Sequence, residues 1–253
     1  MRNLKLIFEY DGNNFSGFEL QPGKRTVRGE LEKALKKIYK KTVKFYAASR
    51  TDSGVHALGQ VINFKAPTSI PLDRIPSALN SVLPEDIRVI RAEEVSKRFN
   101  ARFYAKSKTY EYLIFNGAIM PPHLRKAAWY VKPKLDLAAM QRAARFLVGK
   151  QDFSSFCAAG GDDKDFVRTL KKVKIQNSKV KIGQSSEWAV ISLQFVGDGF
   201  LYKMVRNIVG TLVDVGLGKT SVGGFKGILE QKDRKKAGRT APPQGLCLIK
   251  VNY

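Results

Sequence analysis

The sequence is poor in the residues that build disulfide frameworks and metal sites. Its 253 residues include two cysteines, Cys157 and Cys247, and two histidines, His56 and His123. Two cysteines are too few for a disulfide framework or a cysteine-rich zinc site, and the histidines are not spaced like a pair of metal ligands. We therefore expect reduced thiols and no structural metal.

Long apolar runs are also missing. No stretch approaches the length of about 20 apolar residues that a membrane-spanning helix needs. The first residues already follow the alternating pattern of a strand, so no signal peptide is visible. We therefore expect a cytoplasmic protein that does not enter a membrane.

Acidic residues are scarce relative to basic ones. The chain has 22 Asp and Glu against 45 Lys and Arg, a net charge of +23, and 43% of its residues are hydrophobic. That apolar fraction is too high for a disordered basic tail, so the composition indicates a folded, strongly basic protein. Such a field attracts polyanions, most commonly nucleic acid, because each phosphate contact releases a counterion. An anionic membrane surface and a generally basic proteome are the competing explanations. Against the membrane surface, no basic amphipathic helix stands apart from the fold.

Apolar periodicity predicts the same order of elements twice, namely strand, helix, strand, strand, helix, strand. In the first half we expect strands at 4–10, 43–47, 59–65 and 87–93, with helices at 27–39 and near Pro76. In the second half we expect strands at 108–115, 169–176, 188–195 and 246–253, with helices at 136–148 and 203–215 and an extra short helix at 225–229. The longest loops should lie at 116–134 and 151–165.

This order predicts an α+β fold of two ferredoxin-like halves, residues 1–105 and 106–253. Each half would have an antiparallel sheet covered by helices on one side. Two such halves could join their sheets and leave a basic cleft between them. The length of 253 residues suits either one compact unit or two fused half-domains.

The densest chemistry lies at residues 48–57, which read Ala-Ser-Arg-Thr-Asp-Ser-Gly-Val-His-Ala. The run lies between two predicted strands, so it is a loop that carries a guanidinium, hydroxyls, a carboxylate and an imidazole. Gly54 supplies a permissive backbone that lets the Asp52 carboxylate project from the turn. In an arbitrary chain Asp-Ser-Gly is most simply a turn that caps its own backbone. The neighbouring Arg50 favours a catalytic carboxylate instead, because an arginine keeps a carboxylate ionised.

Two further segments carry residues that could bind or act on a substrate. Residues 106–112 interleave lysines with Tyr110 and Tyr112 on one face of a strand, which suits base stacking as well as it suits core packing. Residues 199–210 place Arg206 on an otherwise apolar helix. Burial around Arg206 would require a carboxylate partner, and Asp52 is the natural candidate.

One motif is dismissed. Gly218, Lys219 and Thr220 look like the end of a phosphate-binding loop, but Val213 stands where the first glycine of that loop should be. The segment also follows a helix, whereas the loop should follow a strand.

The loop at 49–57 resembles the signature of the TruA family of tRNA pseudouridine synthases. The resemblance extends in order through Tyr10-Asp11-Gly12, Thr26-Val27, Gln60, the Phe-Asn-Ala-Arg-Phe run at 99–103, the Asp-Phe-Ser-Ser-Phe run at 152–156, the Met-Val-Arg-Asn run at 204–207 and the Ala-Pro-Pro-Gln-Gly-Leu run at 241–246. A collinear series of this length covers the chain from its first strand to its last.

The resemblance implies isomerisation of uridine to pseudouridine at positions 38 to 40 in the anticodon arm of transfer RNA, without a metal or cofactor. It implies the pseudouridine-synthase fold and a homodimer that grips one RNA across both subunits. By this match Asp52 is the catalytic nucleophile, Tyr110 lies against the uracil and handles its proton, and Arg206 pairs with Asp52. Arg50, Gln60 and Tyr110 would contact the substrate.

A different class of protein explains part of the same pattern. A noncatalytic RNA-binding protein with two ferredoxin-like halves could hold RNA on a basic sheet with its tyrosines. It would account for the charge and the fold. It would not account for Asp52, because a surface that binds phosphates has little use for a carboxylate.

Overall fold

The computed structural model describes residues 1–161, 163–181 and 187–253. The chain divides into two compact units, residues 1–106 with 247–253, and residues 107–246. The expected division at residue 105 differs from these units in the last strand, which groups with the first unit. The reason is a pairing across the sequence, since Cys247 and Leu248 lie parallel to His56 and Ala57.

The elements of the first unit follow the predicted order. They are β1 (Arg2–Tyr10), α1 (Val27–Tyr39), β2 (Phe45–Ala47), β3 (His56–Ala66), α2 (Ile75–Asn80) and β4 (Ile87–Val95). The strand order is β4-β1-β3, β2 pairs with β3, and these pairings are antiparallel. The order β4-β1-β3-β2 is that of a ferredoxin-like unit, as the element order predicts.

The alternation in β1 sets the core face of this sheet. Leu4, Leu6 and Phe8 are completely buried, whereas the residues between them are half-exposed. The register pairs Leu6 with Ile62 of β3 and with Ala92 of β4. The period of two in the sequence therefore becomes one buried sheet face.

Local signals fix helix α1 at both ends. The Thr26 side chain accepts the Gly29 N–H at 3.2 Å at the N-terminus, and Lys40 adopts a left-handed conformation at the C-terminus. The Thr26 cap contributes about 1 kcal/mol to stability. The buried residues of α1 are Val27, Leu31, Ala34 and Leu35. These signals explain why the predicted helix 27–39 matches the observed one.

The remaining elements belong to the second unit, except for the last strand of the chain, which groups with the first. They are β5 (Ser107–Asn116), β6 (Trp129–Tyr130), α3 (Leu137–Ala144), β7 (Gly149–Asp152), β8 (Val167–Lys181), β9 (Glu187–Gly197), α4 (Met204–Gly216) and α5 (Val222–Gln231), and the last strand of the chain is β10 (Leu246–Asn252). Within this unit the strand order is β5-β9-β8-β7 with antiparallel pairs, and β6 runs parallel to β5.

Three details of the second unit differ from the prediction. Asp136 caps α3, but the helix ends at Ala144 and continues only as a 3-10 turn over Arg145–Leu147. Strand β7 then begins at Gly149, which has φ of +107°, one residue after the predicted end of the helix. The prediction missed β6 and β7, because segments this short give no readable alternation. Residue 162, within the predicted loop 151–165, lies outside the described residues.

Across the described ranges, none of the helices combines the length and apolar character that crossing a membrane requires.

Candidate active site

Asp52 lies on a tight turn between β2 and β3, as predicted. The Val55 N–H donates to the Asp52 carbonyl at 3.2 Å, and Gly54 has φ of +77°. A hydrogen bond across four residues with a positive φ at the third is the pattern of a type II turn, which favours glycine there. The backbone therefore bends sharply directly after Asp52.

The segment 10–18 holds this turn through main-chain hydrogen bonds. The Phe15 carbonyl accepts the Ser53 hydroxyl at 3.1 Å and the Gly54 N–H at 3.3 Å. The Phe18 N–H donates to the Thr51 carbonyl at 3.0 Å. The residues on both sides of Asp52 are thus fixed to the same neighbouring segment.

Close backbone packing explains Gly12 within that segment. A Cβ atom on Gly12 would lie 2.1 Å from the Val55 carbonyl oxygen, so only glycine fits. The Gly12 N–H donates to Nδ1 of His56 at 3.1 Å. The Tyr10 and Thr51 hydroxyls, 2.7 Å apart, form a buried hydrogen bond. The Tyr10-Asp11-Gly12 motif therefore packs directly against the Asp52 turn.

Gln60 supports the Asp52 turn from the interior of the protein. Its side chain is completely buried. Its Nε2 donates to the Ser49 carbonyl at 3.0 Å, and its Oε1 accepts the Val61 N–H at 3.1 Å. With both ends of the amide bonded inside the protein, the geometry favours Gln60 as a brace of the loop over the expected contact with substrate.

Exposure alternates along the loop itself. Arg50 is exposed and Asp52 half-buried, whereas Thr51 between them is buried. The guanidinium and the carboxylate thus reach solvent from a backbone that is anchored through its neighbours. A guanidinium and a carboxylate therefore lie where a substrate can meet them.

An ion pair supports segment 10–18 from the side. Two nitrogens of Arg25 donate to the two Asp86 carboxylate oxygens at 2.7 and 2.8 Å, and the guanidinium lies 4.2 Å from the centre of the Phe15 ring. The hydrogen bond from Arg25 holds the pKa of Asp86 below its ordinary value. No local pattern predicts this pair, because its members lie 61 residues apart in the chain.

In the second unit, Tyr110 and Tyr112 follow one face of β5. Tyr110 is 6% exposed, and its ring meets that of Phe200 edge to face, with 4.9 Å between the ring centres. Tyr112 is completely buried, and its hydroxyl donates to the Pro242 carbonyl at 2.7 Å. Burial raises the pKa of Tyr112, against the opposing effect of Arg206 and Arg239. Both rings therefore belong to the buried core, and Tyr112 is the more deeply buried of the two.

Arg206 is half-buried, which is less than its apolar neighbours on the helix led us to expect. In α4, every residue of which is described, Arg206 and Asp214 are the two that are not buried. They lie eight positions apart, on the same side of the helix. The Arg206 Nε donates to the Ala241 carbonyl at 2.8 Å, and the Ala241 N–H donates to the Arg206 carbonyl at 3.1 Å.

The neighbouring Asn207 is a hub that the sequence analysis missed. Its completely buried amide accepts from Arg234 at 3.0 Å and from the Thr240 hydroxyl at 2.7 Å, and donates to the Phe156 carbonyl at 2.8 Å. Arg234 also donates to the Gly238 carbonyl at 3.0 Å, and burial lowers its pKa. These bonds tie the segment that ends at Ala241 to α4. An asparagine inside an apolar helix is the one signal that pointed to this hub.

The expected site residues thus form two groups. Arg50, Asp52 and Gln60 lie in the first unit, and Tyr110 and Arg206 lie in the second. The pairing of Asp52 with Arg206 stays a prediction. Within the described part of the chain, no cluster of three or more His, Cys, Asp and Glu side chains could hold a metal ion.

A family model described as tRNA pseudouridine synthase matches residues 6–104 and 143–253. The chain is 45% identical over 253 residues to a protein of Thermoanaerobacter sp. strain X514 and, over the same length, to one of Acetivibrio thermocellus, covering 100% of each chain. It is 44% identical over 252 residues to a protein of Bacillus licheniformis, with 99% of this chain and 98% of the other covered. All three relatives are named tRNA pseudouridine synthase A. The chain belongs to the tRNA pseudouridine synthase family.

Proposed function

We propose that this protein converts uridine to pseudouridine at positions 38 to 40 of the anticodon arm of transfer RNA, with Asp52 as the nucleophile. The observation that carries the proposal is the braced turn that presents Asp52, found in a chain that matches tRNA pseudouridine synthases over its whole length. The net charge of +23 supports a polyanionic substrate.

The reaction breaks the bond from ribose C1′ to uracil N1 and forms one from C1′ to C5. The ring carbon loses a proton and the ring nitrogen gains one, so substrate and product contain the same atoms and no co-substrate is consumed. Because the base must turn while it is held, the uridine has to leave the helical stack first. A half-buried carboxylate on a hydrogen-bonded turn suits this chemistry, since the turn holds the carboxylate in place before the base enters.

The remaining roles follow the family match. Arg206 is the partner of the Asp52 carboxylate. Tyr110 lies against the uracil and handles its proton, which fits a ring held edge to face by Phe200. Arg50, exposed beside Asp52, contacts the RNA, and Gln60 acts by holding the loop.

The same proposal includes a homodimer in the cytoplasm, where transfer RNA is available. Two copies of a chain with a charge of +23 would present basic surface to one RNA from both sides. Sedimentation of the free protein and of its complex with transfer RNA tests this, with two chains per RNA expected. A single chain per RNA contradicts it.

The activity is tested by incubating the protein with unmodified transfer RNA in buffer with a chelator and mapping pseudouridine along the RNA. Conversion confined to positions 38 to 40 supports the proposal. Tight binding without conversion would instead identify a noncatalytic RNA-binding protein.

A further inference from the structure

An exposed aromatic and basic turn lies at residues 96–106 of the first unit. The side chain of Phe103 is 75% exposed and that of Tyr104 is 50% exposed. The Arg102 guanidinium lies 5.6 Å from the centre of the Phe103 ring. A single exposed apolar side chain is ordinary in a folded protein, but two adjacent aromatic rings beside a cation require an explanation.

The charge of the 96–106 turn has one sign. Its exposed basic residues are Lys97, Arg98, Arg102 and Lys106. Residues 95–110 contain no Asp or Glu. A partner that fits must combine negative charge with a flat ring that stacks, and an unpaired nucleotide offers both. An acidic peptide or a lipid surface supplies the charge without a base to stack.

Two buried asparagine side chains hold the 96–106 turn through hydrogen bonds. Asn3 and Asn63 are each 2% exposed. Asn3 Nδ2 donates to the carbonyls of Ser96 at 2.8 Å and Phe99 at 3.1 Å. Asn63 Oδ1 accepts the Ala101 N–H at 2.7 Å, and its Nδ2 donates to the Asn3 side chain at 3.0 Å. Buried amides are costly unless fully bonded, and most of these bonds go to the backbone of the turn.

Contacts within the 96–106 turn also hold its backbone. The Asn100 side-chain oxygen accepts the N–H groups of Arg102 at 2.9 Å and Phe103 at 3.3 Å. The ring of Phe99 contacts that of Tyr104, with 5.6 Å between their centres. The exposed ring of Phe103 therefore projects from a fixed backbone, so a base that stacks on it does not have to order the turn.

We propose that Phe103, with Arg102, is a stacking platform for an unpaired nucleotide of the transfer RNA, separate from the Asp52 turn. The proposal rests on the proposed function for the identity of the RNA. The platform contributes to binding and register, and takes no part in the bond exchange.

The first test separates the effect of an aromatic ring at position 103 from that of side-chain size. At fixed salt, we expect Phe103→Ala and Phe103→Leu to raise the dissociation constant for transfer RNA by about tenfold or more. This is the scale of one lost base–aromatic stack. Phe103→Trp retains the affinity, because the ring is kept. The control is Ile119→Ala, which removes an apolar side chain of similar exposure, 73%, and leaves the affinity unchanged.

The second test separates stacking from charge. Arg102→Gln lowers the slope of the logarithm of affinity against the logarithm of salt concentration by about 1, as expected for one phosphate contact. Phe103→Ala leaves that slope unchanged while the affinity falls at every salt concentration.

Two results overturn the proposal. Wild-type affinity in Phe103→Leu shows that the ring does not stack on RNA. A change in sedimentation mass in Phe103→Ala shows that a second copy of the chain covers the ring. Since affinity is measured directly, wild-type protein that binds RNA but forms no pseudouridine refutes the proposed function and leaves this test readable.

Discussion

The surroundings of Asp52 and those of Arg206 are built in different ways. Around Asp52 most of the bonds come from the main chain of segment 10–18, and a glycine allows the close approach. Around Arg206 the fixed points are the Ala241 carbonyl and a network of side chains centred on Asn207 and Arg234. Main-chain hydrogen bonds remain when a side chain is deleted, but close backbone packing does not tolerate an added atom. A network of side-chain hydrogen bonds is instead broken when one of its side chains is deleted.

The network around Asn207 is the easier of the two to break by deletion. We expect Asn207→Ala to lower the free energy of unfolding by about 3 kcal/mol, because Arg234, Thr240 and the Phe156 carbonyl each lose their hydrogen bond to the buried Asn207 amide. Asn207→Asp keeps the oxygen that accepts from Arg234 and should lose less. Denaturant unfolding of both variants measures this. Equal stability of wild type and Asn207→Ala would contradict the hub.

The brace around Asp52 should instead be sensitive to an added methyl group. Gly12→Ala places a Cβ atom against the Val55 carbonyl, and we expect a loss of about 2 kcal/mol, as in other overpacked sites, with a lower kcat. The control is Gly227→Ala, since a Cβ atom there meets open space. If Gly12→Ala unfolds like the control, segment 10–18 does not pack as described.

Gln60 sharpens the comparison, because it is a side-chain brace within the main-chain region. We expect Gln60→Leu to cost about 1.5 kcal/mol of stability and to lower kcat, since the Ser49 carbonyl loses its donor. The affinity for transfer RNA should not change. Gln141→Leu is the matched control, because Gln141 donates to the Ile175 carbonyl from an exposed position. A weaker affinity with unchanged stability would make Gln60 a substrate contact after all.

The smallest effect is expected at the Arg25–Asp86 pair, which supports the brace from outside. The folded state lowers the pKa of Asp86, so its contribution is present above the unfolded pKa and is lost as the pH falls through the folded value. Because the pair is partly exposed, Asp86→Asn should cost less than about 1 kcal/mol at pH 7. Unfolding at several pH values should show the two proteins converging below about pH 4. Glu94→Gln, in a more exposed pair, is the control. A constant difference at all pH values would contradict the pairing.

The sequence predicts those parts of the molecule that depend on local signals. Helix α1 has a capping threonine and a regular apolar stripe, so both ends were predicted. The Asp52 turn was predicted because a glycine with a positive φ follows the carboxylate closely in the chain. Strands β6 and β7 are too short to show a period.

Contacts between distant positions could not be read in the same way. Asn207 meets Arg234 and Phe156 across 27 and 51 residues, and no local pattern encodes such a meeting. The burial of Arg206 was overestimated for a related reason. Apolar neighbours on a helix establish that the helix is buried, but not which of its sides remains exposed.

The most direct test of the account is turnover by Asp52→Asn on unmodified transfer RNA, measured beside its affinity for the same RNA. Loss of a nucleophile typically costs about four orders of magnitude or more in rate. We expect pseudouridine formation to fall by that much while the dissociation constant stays near that of the wild type, because the carboxylate acts chemically and does not hold the RNA. Wild-type rates in Asp52→Asn would contradict the central claim.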